Sequence, residues 1–295
     1  MNGDITIQDI PAELLDQFTL DLGNLGQVMG DLTIARIASD RTDGSDIAIT
    51  ANKLWEVRGN LNFTQLERLE MPTFQTLDTA VGISFADVDF AESADFVAEN
   101  FPLLEHVQSL TFSNTTVNTI GNDWTTNLTG PFDPSDFIVT IIDNERLSNL
   151  TVPGWTDHMV QIHIENNALL AGVAFPSITN CTLTLEGVGS FNAPSLTQIG
   201  RSEDGAEISA APSTGKGINV RRQDGAESGL DGSVISGNNF NELRLESLTT
   251  IVGSFELSDN EALTTISFPI LRNVYGRVDI SADQLNSYVF LAHCA

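Results

Sequence analysis

The chain has 295 residues and carries 40 acidic side chains against 13 basic ones, a formal charge of −27. No basic stripe exists to neutralise phosphates, which argues against nucleic-acid binding, and an anionic membrane surface would repel the chain. No apolar run approaches the roughly 18 residues of a membrane-spanning helix, and two cysteines make no disulfide framework.

Gly3-Asp4-Ile5-Thr6-Ile7 reads as a strand with one apolar face. Met1 leads almost directly into it, with neither a capping segment nor the apolar core of a signal peptide, so the chain is expected to be cut at its front. The inward pair Ile5/Ile7 then returns at Leu32/Ile34, Leu61/Phe63, Ile83/Phe85, Leu110/Phe112, Val139/Ile141, Ile162/Ile164, Leu183/Leu185, Phe255/Leu257 and Val278/Ile280. Up to Leu183, and again at the final step, successive first members stand roughly 21–29 residues apart, which matches the units of leucine-rich and related solenoids. Short helices on the outside of coils are predicted over residues 8–20 and 90–100.

A second apolar corner, apolar-Pro-x-apolar, recurs at Met71-Pro72-Thr73-Phe74, Phe101-Pro102-Leu103-Leu104, Val152-Pro153-Gly154-Trp155, Phe175-Pro176-Ser177-Ile178, Ala193-Pro194-Ser195-Leu196 and Phe268-Pro269-Ile270-Leu271. Proline has no N–H and a fixed φ, which suits a corner between coils. The fullest unit spans residues 251–282, where Phe255 and Leu257 are followed by the turn formers Asp259 and Asn260, and Gly253 and Gly276 open successive copies. A unit this small cannot bury its own apolar face and must stack on a copy of itself.

One interval breaks the series. From Leu183 to the next plausible pair position, Val234, is 51 residues, and the surplus falls in residues 201–231, which are rich in Gly, Ser, Ala, Asp and Arg and have no apolar period. That composition predicts a disordered insertion, either a functional loop or a retained intron; Gly200 and Gly232 would join into the usual opening of a unit. The predicted organisation is solenoid coils over 1–200, the insertion over 201–231, the same solenoid over 232–290, and a tail over 291–295. The fold class is mainly β: a right-handed parallel β-solenoid of about ten to eleven coils, about 50 Å long by the strand spacing. Cys181 shares parity with Leu183 and Leu185 and should be a core residue. Cys294 lies several coils away, beyond the reach of a bridge, so two free thiols are expected.

Glycosylation sequons stand at Asn62, Asn114, Asn127, Asn149 and Asn180. Asn62 alternates with inward Leu61 and Phe63, and Asn180 is out of phase with Cys181, so both should face solvent. Signals for catalysis or metal binding are weaker. The acidic run from Asp87 to Asp95 fails the calcium-loop pattern, having Ala91 where an acid belongs and Glu92 where glycine is required, and reads more simply as a charged surface. Residues 40–46 read as a turn. His158 and His163 lack a third ligand nearby in sequence, and with His106 and His293 they read as ordinary exposed histidines. Lys216 sits in a glycine context without the full phosphate-loop pattern, and no serine-hydrolase elbow is present. No catalytic, metal or cofactor site is predicted.

The recurring V-x-G-x-L-x-I…L-x-x-I-x-F-P-x-L, as in residues 57–63 and 251–278, resembles the fungal GPI-anchored cell-wall-organisation proteins, built on a receptor L-domain-like, leucine-rich-repeat-related β-solenoid. The likeness covers residues 1–200 and 232–290. It implies an extracellular, N-glycosylated, non-enzymatic protein of the cell surface and wall. The partner it implies is a wall glycan or cell-surface protein, with membrane attachment only through a lipid anchor. The chain departs from that pattern in having no secretory leader, no serine-rich stalk with anchor signal (residues 288–295 are too short for one), and the 201–231 insertion, as an incomplete gene model would. On this reading the outward residues Asn60, Thr64, Thr111, Gln161, His163 and Glu165 are of the kind that hydrogen-bond sugars or peptides, and contact with solvent explains them equally well. The alternative is a carbohydrate-active parallel β-helix enzyme, a lyase or glycosidase, which as a glycosidase would need two carboxylates about 5–9.5 Å apart on one face.

Overall fold

The computed structural model describes residues 3–10, 19–37, 46–91, 94–121, 137–152, 159–202, 230–281, 284–285 and 287–290. These residues form a mainly β, solenoid-like structure whose spine is a thirteen-stranded parallel sheet. Its strands include Ile5–Gln8, Leu32–Ala35, Glu56–Leu69, Thr79–Phe90, Ser109–Thr115, Phe137–Ile142, Met159–Glu165, Asn180–Glu186, Ser233–Ser236, Thr250–Ser258 and Asn273–Ile280. Each pairs with the strand one unit later in register, so equivalent positions stack into columns. Ile7, Ile34, Phe63, Phe85, Phe112, Ile141, Ile164, Leu185, Ile235, Leu257 and Ile280 form one such column. Apart from the position at Val234, the inward pairs expected from the alternation fall on this face.

A second, five-stranded parallel sheet runs through Asp95–Phe96, Thr119–Ile120, Asn149–Thr151, Gly172–Ala174 and Phe191–Asn192. Its inward column, Phe96, Ile120, Leu150, Val173 and Phe191, is buried. The two sheets meet through aromatic rings. Phe85 stacks on Phe63 at 4.7 Å and on Phe112 at 4.9 Å, while Phe96 meets Phe112 edge-on at 5.1 Å. Rings one strand spacing apart are forced into offset stacking by the parallel ladder itself.

Two kinds of tight turn close the units. Pro102 and Pro269 follow the first residue of four-residue turns, where Leu104 N–H donates to the Phe101 carbonyl at 3.1 Å and Leu271 N–H to the Phe268 carbonyl at 3.3 Å. The pyrrolidine ring's fixed φ suits that second position of a turn. The other turn begins with asparagine: Leu147 N–H bonds back to Asn144, Leu170 to Asn167 and Leu263 to Asn260.

Several expectations need correction. The inward residues of the strand Ser233–Ser236 are Ser233 and Ile235, and Val234 faces out beside Thr184 and Glu256. The apolar look of Val234 misleads because the buried Ser233 hydroxyl is satisfied, accepting from Leu183 N–H at 3.1 Å. Among the described residues of 90–100 there is no α-helix: the long strand runs to Phe90, Asp95–Phe96 is a strand, and Ala98–Asn100 coils as a 3-10 turn. The helix expected over 8–20 lies largely on residues 11–18, outside those described, and it is flanked by strand at Gln8 and Thr19. The corner at Met71-Pro72 is out of step with the others, since it is Phe74 that stacks on Phe101, at 5.5 Å.

The insertion enters in the middle of a strand position. Ile199 pairs with Ile251, and Ser233 pairs with Phe255. Between them Arg201–Ser202 and Leu230–Asp231 form an antiparallel pair that leads out and back, with residues 203–229 outside those described. Cys181 is fully buried in the core, and burial pushes its thiol pKa up to about 12; Cys294 lies outside the described residues.

Two stability measurements check this architecture. Ile251 and Phe255 are separated by three residues. Deleting 202–231 while keeping Arg201 leaves the same interval between Ile199 and Ser233, and thermal unfolding should then shift by no more than a few degrees. Replacing buried Asn238, which bonds the main chain of its own unit and of the unit before it, by alanine is expected to cost about 3 kcal/mol in denaturant titration, since each orphaned buried group costs about 1–3 kcal/mol. Outward Ser236→Ala should cost about 0.5 kcal/mol or less.

Candidate interaction surface

Alternation along the main strands sets a polar column outward for every apolar column inward. The central outward column reads Thr6, Thr33, Asn62, Ser84, Thr111, Thr140, His163, Thr184, Val234, Glu256 and Asp279. From Thr6 to Thr184 every member carries a hydrogen-bonding side chain, repeated at about 4.8 Å, the spacing of paired strands. Neighbours in the column reach one another: Asn62 Nδ2 donates to Thr33 Oγ1 at 3.3 Å. From Thr33 to Val234 the residues of the column are half-buried, while Thr6 and Glu256 are exposed.

A shallow concavity of about 330 Å³ opens on this face, lined among others by Ile138, Thr140, Gln161, His163, Thr182 and Thr184. His163 Nε2 lies 2.8 Å from Glu165 Oε2, which orients the imidazole along its own strand. The concavity offers hydroxyl, amide and imidazole groups around one apolar wall at Ile138, which is itself 41% exposed. Of the outward residues expected to meet a ligand, Gln161 and His163 line this concavity. Glu165 touches it only through His163. Thr111 stands next to Thr140 in the same column, and Asn60 and Thr64 lie farther along the sheet.

A second groove, of about 420 Å³, lies at the edge of the sheet among Gln65, Glu67, Asp87, Asp89, Asn114, Thr116 and Glu145. It contains two of the acids singled out in the run from Asp87 to Asp95. Both are engaged: Asn114 Nδ2 donates to Asp87 Oδ1 at 2.8 Å, and Thr116 Oγ1 to Asp89 Oδ1 at 2.9 Å. They therefore belong to a bonded acidic surface along the corner. The same corner holds the exposed Asp9–Arg36 pair, where Arg36 Nε approaches the carboxylate to 2.7 Å and its hydrogen bond lowers the Asp9 pKa.

The sequons fall in unlike environments. Asn62 is half-buried and bonded to Thr33. Asn114 is exposed, but its amide is bonded to Asp87. Asn180 is half-buried in the strand Asn180–Glu186 and accepts from Thr197 at 3.4 Å. Asn149 is exposed at the start of the strand Asn149–Thr151 in the second sheet. Asn127 lies outside the described residues, as do His158, His293 and Lys216.

His106, read from sequence as an ordinary exposed histidine, stands instead beside Asp78 and Glu105. The signal that would have found this group is the repeat itself: Asp78 and Glu105 are separated by the same interval that separates Ile83 from Leu110. Among the described residues no helix is long and apolar enough to cross a membrane. No protein-family model, curated protein or solved structure matches the chain.

When the chain is directed through a eukaryotic secretory pathway, glycan occupancy should be highest at Asn149 among Asn62, Asn114, Asn149 and Asn180, because a glycan there displaces no side-chain hydrogen bond. Site-resolved mass spectrometry after enzymatic deglycosylation reads this directly.

Proposed function

We propose that this chain is a non-enzymatic cell-surface or cell-wall protein that presents its long parallel sheet to a glycan or protein ligand. On this reading it belongs with the fungal GPI-anchored cell-wall-organisation proteins of receptor L-domain-like, leucine-rich-repeat-related form, a right-handed solenoid of about ten to eleven coils. Its place is extracellular, its role is wall organisation, and it carries out no reaction. The observation that carries the reading is the unbroken outward column of hydrogen-bonding side chains from Thr6 to Thr184. A group repeated at a fixed pitch matches a ligand that itself repeats, such as a linear polysaccharide laid along the sheet. The acidic exterior, −27 overall, favours a neutral or cationic partner over an anionic one.

The enzyme alternative draws on the acid-lined groove at Glu67, Asp87, Asp89 and Glu145. It requires one acid free to give a proton and another to act as base or nucleophile. With Asp87 and Asp89 accepting from Asn114 and Thr116, the groove suits a structural role better.

Co-sedimentation with insoluble wall polysaccharides tests the reading. The intact chain should be retained, and His163→Ala combined with Thr140→Val should weaken retention at least tenfold, about 1.4 kcal/mol. Thr265→Val on a different sheet should leave it unchanged. Retention that ignores the His163/Thr140 pair, or release of new reducing ends that stops with Asp87→Asn, would overturn it.

A further inference from the structure

We propose that Asp78, Glu105 and His106 form a binding site for a divalent transition-metal ion of the zinc class. One ligand atom from each, the two carboxylate oxygens and an imidazole nitrogen, lie within 4.8 Å of one another. Ligands about 2.0–2.2 Å from a tetrahedral zinc sit about 3.4 Å apart, so closure around an ion needs side-chain rotation on the order of an ångström and no backbone movement.

The backbone is already fixed for this. Glu105 N–H and His106 N–H both donate to the Asp78 carbonyl, at 3.1 and 3.0 Å, and Ala80 N–H donates to the His106 carbonyl at 2.9 Å. Thr79 and His106 also pair as a parallel bridge. The three residues thus occupy one corner on successive turns of the chain, held by the same ladder that holds the core. Thr79 Oγ1 donates to Asp78 Oδ2 at 2.9 Å, which orients that carboxylate, a supporting contact of the kind that metal carboxylates commonly have.

Chemistry selects the ion class. One imidazole with two carboxylates is a mixed nitrogen and oxygen set, which suits zinc, cobalt, nickel or copper better than calcium, whose sites are built from six to eight oxygens. Three protein ligands leave a fourth position for water or for a donor on a partner. Asp78 and His106 are half-buried while Glu105 is exposed, so the site opens to solvent and can exchange its ion.

The test uses the full chain, stripped with chelator and titrated with Zn²⁺ by calorimetry and with Co²⁺ by visible absorption. One saturable equivalent is expected, with a Co²⁺ spectrum carrying the bands of a low-coordinate ion. His106→Ala and the exposed Glu105→Gln should each weaken binding at least tenfold, with circular dichroism unchanged, whereas Glu261→Gln should have no effect. Non-saturable uptake by the acidic surface, or equal affinity in Glu105→Gln, His106→Ala and the intact chain, would overturn the proposal.

Discussion

The structure depends on one corner made the same way in unit after unit. Among the described residues, the position just beyond the inward pair takes the left-handed conformation in ten units: Asp9, Arg36, Gln65, Asp87, Asn114, Asp143, Asn166, Gly187, Gly237 and Asp259 all have φ between 50° and 76°. This conformation costs an L-residue roughly 1–2 kcal/mol, and aspartate, asparagine and glycine tolerate it best. Arg36 and Gln65 tolerate it worst, yet they stand in the same column. The Arg36 N–H donates to the Thr64 carbonyl on the next unit at 3.1 Å, so the parallel ladder imposes the corner on residues that would not choose it.

Past the corner, the two halves of the molecule diverge. In the first half the next residue is apolar (Ile37, Leu66 or Val88), and the ladder continues past the bulge through Leu66 with Val88 and Leu69 with Phe90. Farther on, the strands end at the corner, and buried asparagines take over the lost pairing. Asn144 Oδ1 accepts from Thr115 N–H, Asn167 Oδ1 from Asn144 N–H, and Asn260 Oδ1 from Asn238 N–H, at 3.1, 3.1 and 3.0 Å. Their amide nitrogens donate to main-chain carbonyls of their own unit and the one before it. A buried amide is tolerated only when all its groups are paired, and the stack provides those partners. The aromatic half is held by ring stacking at Phe63, Phe85 and Phe112, the asparagine half by these ladders, and both keep the parallel strands in register.

The inward pairs are legible in the sequence because the alternation within each strand and the repeat between strands agree at every copy. The parallel arrangement follows from that agreement, and parity alone places Cys181 in the core. Other features are hidden for local reasons. Val234 looks inward because it is apolar, but register is decided by the neighbouring strands, and a serine with a bonded hydroxyl fits the interior at Ser233. Residues 90–100 alternate in a way that suits a helix face, yet Phe90 and Phe96 are claimed by two different sheets. Asp78, Glu105 and His106 escape notice because sequence motifs for metals look for ligands a few residues apart, whereas a solenoid brings together residues one unit apart. The polar column on the outer face is visible as the complement of the inward pairs; its concavity around His163 is not, because it depends on the depth of flanking rows.

Columns of side chains exist only if equivalent positions stand one strand spacing apart along the main sheet. Thr33 and Thr184 are six such steps apart on the outer column, about 29 Å by the strand spacing. Spin labels at Thr33→Cys and Thr184→Cys, with Cys294→Ser and with Cys181 left in place because it is fully buried, measure that separation by pulsed dipolar spectroscopy. The predicted result is a single narrow distribution centred at about 30 Å. A distance shorter by a third or more, or a broad spread without a peak, would contradict the stacked arrangement.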